Sequence, residues 1–99
     1  SLPADRLQTI LGSLINRLDG PFEELETALA SGDAEAAGRA LHGLKGLSGQ
    51  FGLQRLSALA ATLEQAAHDG DLAAVTARQE ELAREVATAR DALEAYMQG

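Results

Sequence analysis

The stretch "ALHGLKGLSGQFGLQRL", residues 40–56, decides how this chain is read. Gly43, Gly46, Gly49 and Gly52 recur at every third position, and an interior glycine costs a helix about 1 kcal/mol relative to alanine. Glycine content alone would make the segment a loop. Yet Ala37, Leu41, Leu44, Ser48 and Phe51 keep steps of three and four through it, the spacing of one helical face. The preserved period predicts a helix over about 34–50, ended by Gly52. The glycines then need a reason, and it lies on a second face of that helix.

Outward from this segment the same period recurs. Leu7, Leu11, Leu14, Leu18, Phe22, Leu25 and Leu29 form one stripe, which keeps phase across Gly20-Pro21. Proline removes a backbone donor and crowds the preceding turn. Two readings stay open: helices over about 4–18 and 21–30, with Pro21 in a first turn, or one kinked helix. Ser31-Gly32-Asp33 reads as a stop and a start, Gly32 in a left-handed cap and Asp33 as the next N-cap. After Gly52 a helix over about 53–68 turns Leu56, Ala60, Leu63 and Ala67 inward. Asp69-Gly70-Asp71 punctuates again, with Asp71 as N-cap. A last helix over about 72–97 buries Leu72, Val75, Leu82, Val86, Leu93 and Tyr96, with Gln79 interrupting its stripe. No β-branched alternation is present. Short loops between long amphipathic helices predict an all-α, antiparallel up-down bundle.

Ninety-nine residues make one domain, 1–99, with a modest core. A formal net charge of −7 argues against nucleic acid and anionic membrane as partners. The absence of cysteine excludes disulfides, thiolate metal sites and thiol catalysis, and fits a reducing compartment. No apolar run approaches the roughly 18 residues of a membrane span, and no signal peptide is visible. The first residue is Ser1, which fits a domain excised from a larger protein. A cytoplasmic, monomeric domain is the expectation.

The second face of the 34–50 helix carries His42. Residues three and four away share its face: Gly38, Arg39, Lys45 and Gly46. Leu41 and Leu44 lie beside it, so His42 is expected at the edge of the bundle. Gly38 and Gly46 would leave the imidazole in a shallow bare groove. Lys45, the chain's one lysine, places a cation a turn away, and Arg39 offers a second. A neutral imidazole nitrogen is a nucleophile near neutral pH. A phosphoryl group on it would carry about two negative charges, which neighbouring cations would stabilise.

These residues carry a family resemblance. "HGLKGLSGQFGLQRLSALAATLE", residues 42–64, resembles the signature of histidine-containing phosphotransfer (HPt) domains, roughly H-x-L-K-G, small residues, then G-apolar-x-x-L and a helix ending in L-E. His42, Leu44, Lys45, Gly46, Ser48, Gly49, Phe51, Gly52, Leu56, Leu63 and Glu64 fall in register. The upstream "ALASGDAEAAGRALHGLKG", residues 28–46, is similar too, and the likeness covers nearly the whole chain, more loosely before Leu25. Gly43 and Leu47 depart from the pattern, standing where many members have Thr or Ser.

The resemblance implies a four-helix bundle with an additional N-terminal helical segment. It implies a phosphorelay intermediate in which His42 accepts a phosphoryl group from a receiver-domain aspartate and passes it to another receiver. Lys45 would neutralise the phosphoryl oxygens, and Gly46 would keep space for the receiver. Glu64 would hold one imidazole nitrogen and orient the other. The partners would be response-regulator receiver domains, with Mg²⁺ on the receiver and no cofactor of the chain's own. The domain would have no autonomous catalysis and could be tethered to a hybrid sensor kinase. Docking would use the His42 face and apolar side chains of the first helices, with Ile10, Leu14 and Ile15 as candidates.

Rival readings make different demands. A kinase dimerisation domain usually has an acidic residue directly after the histidine and a proline a few positions on; Gly43 follows here and no proline comes after Pro21. The phosphoacceptor domain of a chemotaxis-type kinase has a similar signature. A non-catalytic interaction module would not need His42. A bundle-core metal site is weak, because His68 is the one other histidine and no Glu-x-x-His pair exists. His68 reads as a helix C-terminal residue favourable to the dipole.

Overall fold

Leucines repeating at three and four build the long helices of the molecule. The computed structural model describes the backbone of residues 4–98 and the side chains of residues 9, 12, 13 and 15–96. The elements are α1 (Ala4–Ser31), α2 (Ala34–Gln50), α3 (Gln54–His68), α4 (Leu72–Ala77) and α5 (Gln79–Gln98). There is no strand among the described residues. The bundle is 47 Å long and 20 by 18 Å across, a length matching the 28 residues of α1 at about 1.5 Å each.

Pro21 lies inside α1, and the helix runs through it. The N-terminal stretch therefore extends α1 instead of forming a separate helix. Leu18 precedes the proline and Leu25 follows it, both fully buried in the core. Their burial, about 1.5–3 kcal/mol each, outweighs the backbone bond that proline removes. Pro21 also marks an approach to α2: a Cβ on Gly43 would stand 3.9 Å from Pro21 Cγ.

The junctions follow local chemistry. Gly32 has φ +68, which closes α1 in the left-handed region. The Asp33 side chain accepts from the Ala36 N–H at 3.0 Å and starts α2. Gly52, at φ +70, turns the chain between α2 and α3. Asp71 caps α4 by accepting from the Ala74 N–H at 3.1 Å.

The core is a leucine and alanine cluster: Leu18, Leu25, Leu41, Leu44, Leu56, Leu63, Val75 and Leu82 are fully enclosed. Ala37, Ala40, Ala60 and Ala67 lie among them and keep the helices close. Ser48 is buried and satisfies its hydroxyl on the Leu44 carbonyl at 2.5 Å. α2 packs on both α1 and α3, while α5 closes against both. Arg90 of α5 pairs with Asp19 of α1.

Two expectations are corrected. The single helix over 72–97 is two helices, broken at Arg78 (φ −110, ψ 11). Gln79 falls where the inward stripe needs an apolar side chain. Glu80 and Glu81 then occupy the first turn of α5, where negative charge suits the helix dipole. Arg78 binds Glu81 through two hydrogen bonds of 2.8 and 3.1 Å across the break. Tyr96 is not buried but 71 % exposed: the packed stripe of α5 ends with half-buried Leu93, and Ala89 fills a core position instead.

Candidate functional site

α2 and α3 lie side by side, and three polar residues meet across their contact. His42 and Lys45 stand one turn apart on α2, and Glu64 comes from α3 beside buried Leu63. Glu64 Oε2 is 2.8 Å from His42 Nδ1. Lys45 Nζ donates to Glu64 Oε1 at 2.6 Å. The Glu64 side chain is 12 % exposed and the His42 side chain 70 %. A nearly enclosed carboxylate thus anchors a ring that reaches solvent.

A burial of this kind is costly for a lone carboxylate. The Lys45 hydrogen bond offsets it most, and the His42 contact adds to it, so the Glu64 carboxyl is held below its usual value despite the desolvation that opposes this. Glu64 is therefore an anion, which only accepts hydrogen bonds. In the neutral ring Nδ1 must then carry the proton, and Nε2 keeps its lone pair. The arrangement gives an exposed imidazole with one defined tautomer, its Nε2 lone pair free of the proton.

Linkage fixes a consequence for stability. A carboxyl whose folded value is depressed stabilises the fold above its unfolded value, roughly pH 4.3, and loses that contribution as pH falls through the folded value. Glu64→Gln is expected to cost about 1–2 kcal/mol at pH 7, the range for charge-assisted hydrogen bonds. The gap between wild type and variant in urea unfolding should narrow on acidification below pH 4.3. A gap that stays constant down to pH 2.5 would mean the carboxylate has no such role.

The glycines divide into two kinds. At Gly46 an added Cβ would meet nothing within 4 Å, so the surface one turn beyond His42 is bare. Gly38 is different from its expected role beside the ring: it is buried, and a Cβ there would stand 3.7 Å from His68 Cε1 and 3.9 Å from Ala67 Cβ. Position 38 belongs to the contact with α3, not to a groove around the imidazole. At Gly49, which is exposed, an added Cβ would stand 3.9 Å from Ser57 Oγ of α3.

Other expected groups fall as follows. Lys45 is half-buried and its ammonium is engaged by Glu64. Arg39 pairs with Glu35 at 3.3 Å on the outer side of α2 and is not among the groups gathered at Glu64. Ile15 is buried and offers no surface for docking; the side chains of Ile10 and Leu14 lie outside the described residues. His68 belongs near the site, its Nε2 3.6 Å from Glu64 Oε2. The spacing of four between Glu64 and His68 on one helix was the available signal. Among the described residues no group of three or more His, Cys, Asp or Glu side chains is arranged to hold a metal ion, and no helix is long and apolar enough to cross a membrane.

Among known families, the model described as Hpt domain matches the chain over residues 9–96. No curated protein and no solved structure matches the chain.

Proposed function

The chain belongs to the Hpt domain family, whose members carry out phosphotransfer in two-component signalling and interact with receiver domains, and on that premise we propose that His42 is the phosphoacceptor of a relay between two receivers. The observation that carries this reading is Glu64, held between Lys45 Nζ and His42 Nδ1, which leaves Nε2 as the basic atom of an exposed ring.

The step is a displacement at phosphorus. The Nε2 lone pair attacks the phosphoryl group of the receiver's aspartyl phosphate. The N–P bond forms as the P–O bond to the aspartate breaks, and the receiver regains its carboxylate. The Nδ1 proton stays in place. The ring acquires positive character as the new bond forms, and the Glu64 carboxylate offsets that charge. The product places about two negative charges one helical turn from Lys45, whose ammonium has three donors and can serve Glu64 and a phosphoryl oxygen together. Gly46 leaves room for the receiver to come close. Mg²⁺ acts on the receiver's side. Discharge to a second receiver is the same step reversed.

Radiolabelled receiver domains supply the test. Mixed with a phosphorylated receiver and Mg²⁺, the chain should take up phosphate that is labile to acid and stable to base. It should then lose that phosphate when a second, unphosphorylated receiver is added. Label that is stable to acid, or that never leaves the chain, would contradict a relay role.

A further inference from the structure

Glu64 has a third neighbour that the relay chemistry above does not use. His68 stands four residues along α3, and its Nε2 lies 3.6 Å from Glu64 Oε2. That is the oxygen that already takes His42 Nδ1 at 2.8 Å. The ring is seated against α2 at Gly38, where an added Cβ would be 3.7 Å from Cε1 and 3.9 Å from Nδ1. The side chain is 63 % exposed, so water and protons reach it.

At 3.6 Å a neutral imidazole makes no hydrogen bond to the carboxylate. An imidazolium at that distance is an ion-pair partner, and a carboxylate oxygen has a second lone-pair position to offer it. The charged surroundings of His68 are few. From α2, Glu35 lines the same cleft, together with Ala34, Ala67 and Gly70, but it is engaged by Arg39. On its own helix Glu64 faces it. Next to it in sequence, Asp69 accepts from Gln65 Nε2 at 3.2 Å. Beyond Glu64 stand Lys45 and His42. Of these carboxylates, Glu64 is the one whose oxygen lies at ion-pair distance from the His68 ring.

We propose that His68 is a second imidazole that competes with His42 for Glu64 Oε2 when it is protonated. Two effects follow, and they act in the same direction. Sharing Oε2 weakens its hold on the His42 Nδ1 proton, and with it the tautomer that leaves Nε2 bare. A cation beside Glu64 also opposes the positive character that His42 gains as the N–P bond forms. Phosphoryl uptake would therefore slow as His68 gains its proton. The consequence for rate rests on the phosphoacceptor reading of His42; the sharing of one carboxylate oxygen by two rings does not.

The sequence has two histidines, so their imidazole nitrogens can be followed individually by ¹H–¹⁵N NMR. Between pH 8 and pH 5.5 the His42 nitrogens of the wild type should show an additional step that coincides with the titration of His68. His68→Gln should remove that step. A His42 profile unchanged in His68→Gln would overturn the proposal. Phosphoramidate, a small phosphodonor that releases ammonia on transfer to imidazole, gives the second readout. With it, His68→Gln should take up phosphate about threefold faster than wild type at pH 6, the effect of one weak charge pair, and equally fast at pH 8. Equal rates at both pH values would overturn the proposal. Should neither protein take up phosphate, the phosphoacceptor reading fails, while the NMR step still decides whether His68 competes for Glu64.

Discussion

His42→Gln is expected to leave a folded bundle that takes up no phosphate from any receiver. The fold should survive because the side chain is 70 % exposed and lies outside the leucine core. Glutamine is a better helix former than histidine, and its amide N–H can still donate to Glu64, so the change in stability should stay within about 0.5–1 kcal/mol. The chemistry should not survive. An amide nitrogen has no available lone pair, so the substitution removes the nucleophile. Uptake measured against wild type should fall at least about a thousandfold, the scale on which removal of a covalent nucleophile acts. Circular dichroism and a thermal melt on the same sample would establish the fold. A folded His42→Gln protein that still takes up acid-labile phosphate would show that the phosphate sits elsewhere.

Gly46→Leu should separate stability from transfer. An added Cβ at position 46 meets nothing within 4 Å, so the leucine projects into open space and forces no repacking. Replacing an interior helical glycine by leucine should gain up to about 1 kcal/mol. In a domain of this size that corresponds to a rise in Tm of about 4–8 °C. The same leucine stands one turn from His42, across the bare surface that a receiver must approach. Displacing reacting groups by about 1 Å can cost a hundredfold in rate, and a four-carbon side chain at a close contact should cost at least that. A variant that is more stable and transfers at the wild-type rate would mean that the open surface at Gly46 is not the receiver's path. Gly46→Ala, with one carbon added, should keep most of the stability gain and lose less of the transfer.

The helical period was legible wherever leucine and alanine carry it. Leu18, Leu25, Leu41, Leu44, Leu56, Ala60 and Leu63 were all placed inward by spacing and are buried. The stops at Gly32 and Gly52 and the caps at Asp33 and Asp71 follow from local backbone chemistry, which sequence states directly. Sequence and structure part where local and tertiary terms compete. At Pro21 the local rule favours a break, and burial on both sides of it wins. At Gln79 the period had already faltered, and the break at Arg78 is the consequence. A step of three from Leu93 reaches Tyr96, but periodicity does not say where the core ends. Gly38 shows a further limit. Spacing along one helix places it near His42, but not which side of it another helix covers. Glu64 came from the family resemblance, because spacing within α2 says nothing about which α3 residue faces it. His68 acquires meaning only once Glu64 is known to face α2.

The nitrogen that bears the phosphate is the most direct test. Chain labelled with ¹⁵N and phosphorylated by a receiver should be examined by ³¹P and ¹H–¹⁵N NMR. Phosphorus coupled to Nε2 of His42, with Nδ1 still carrying its proton toward Glu64, is the expected result. Phosphorus on Nδ1 of His42, on His68 or on an oxygen would contradict it.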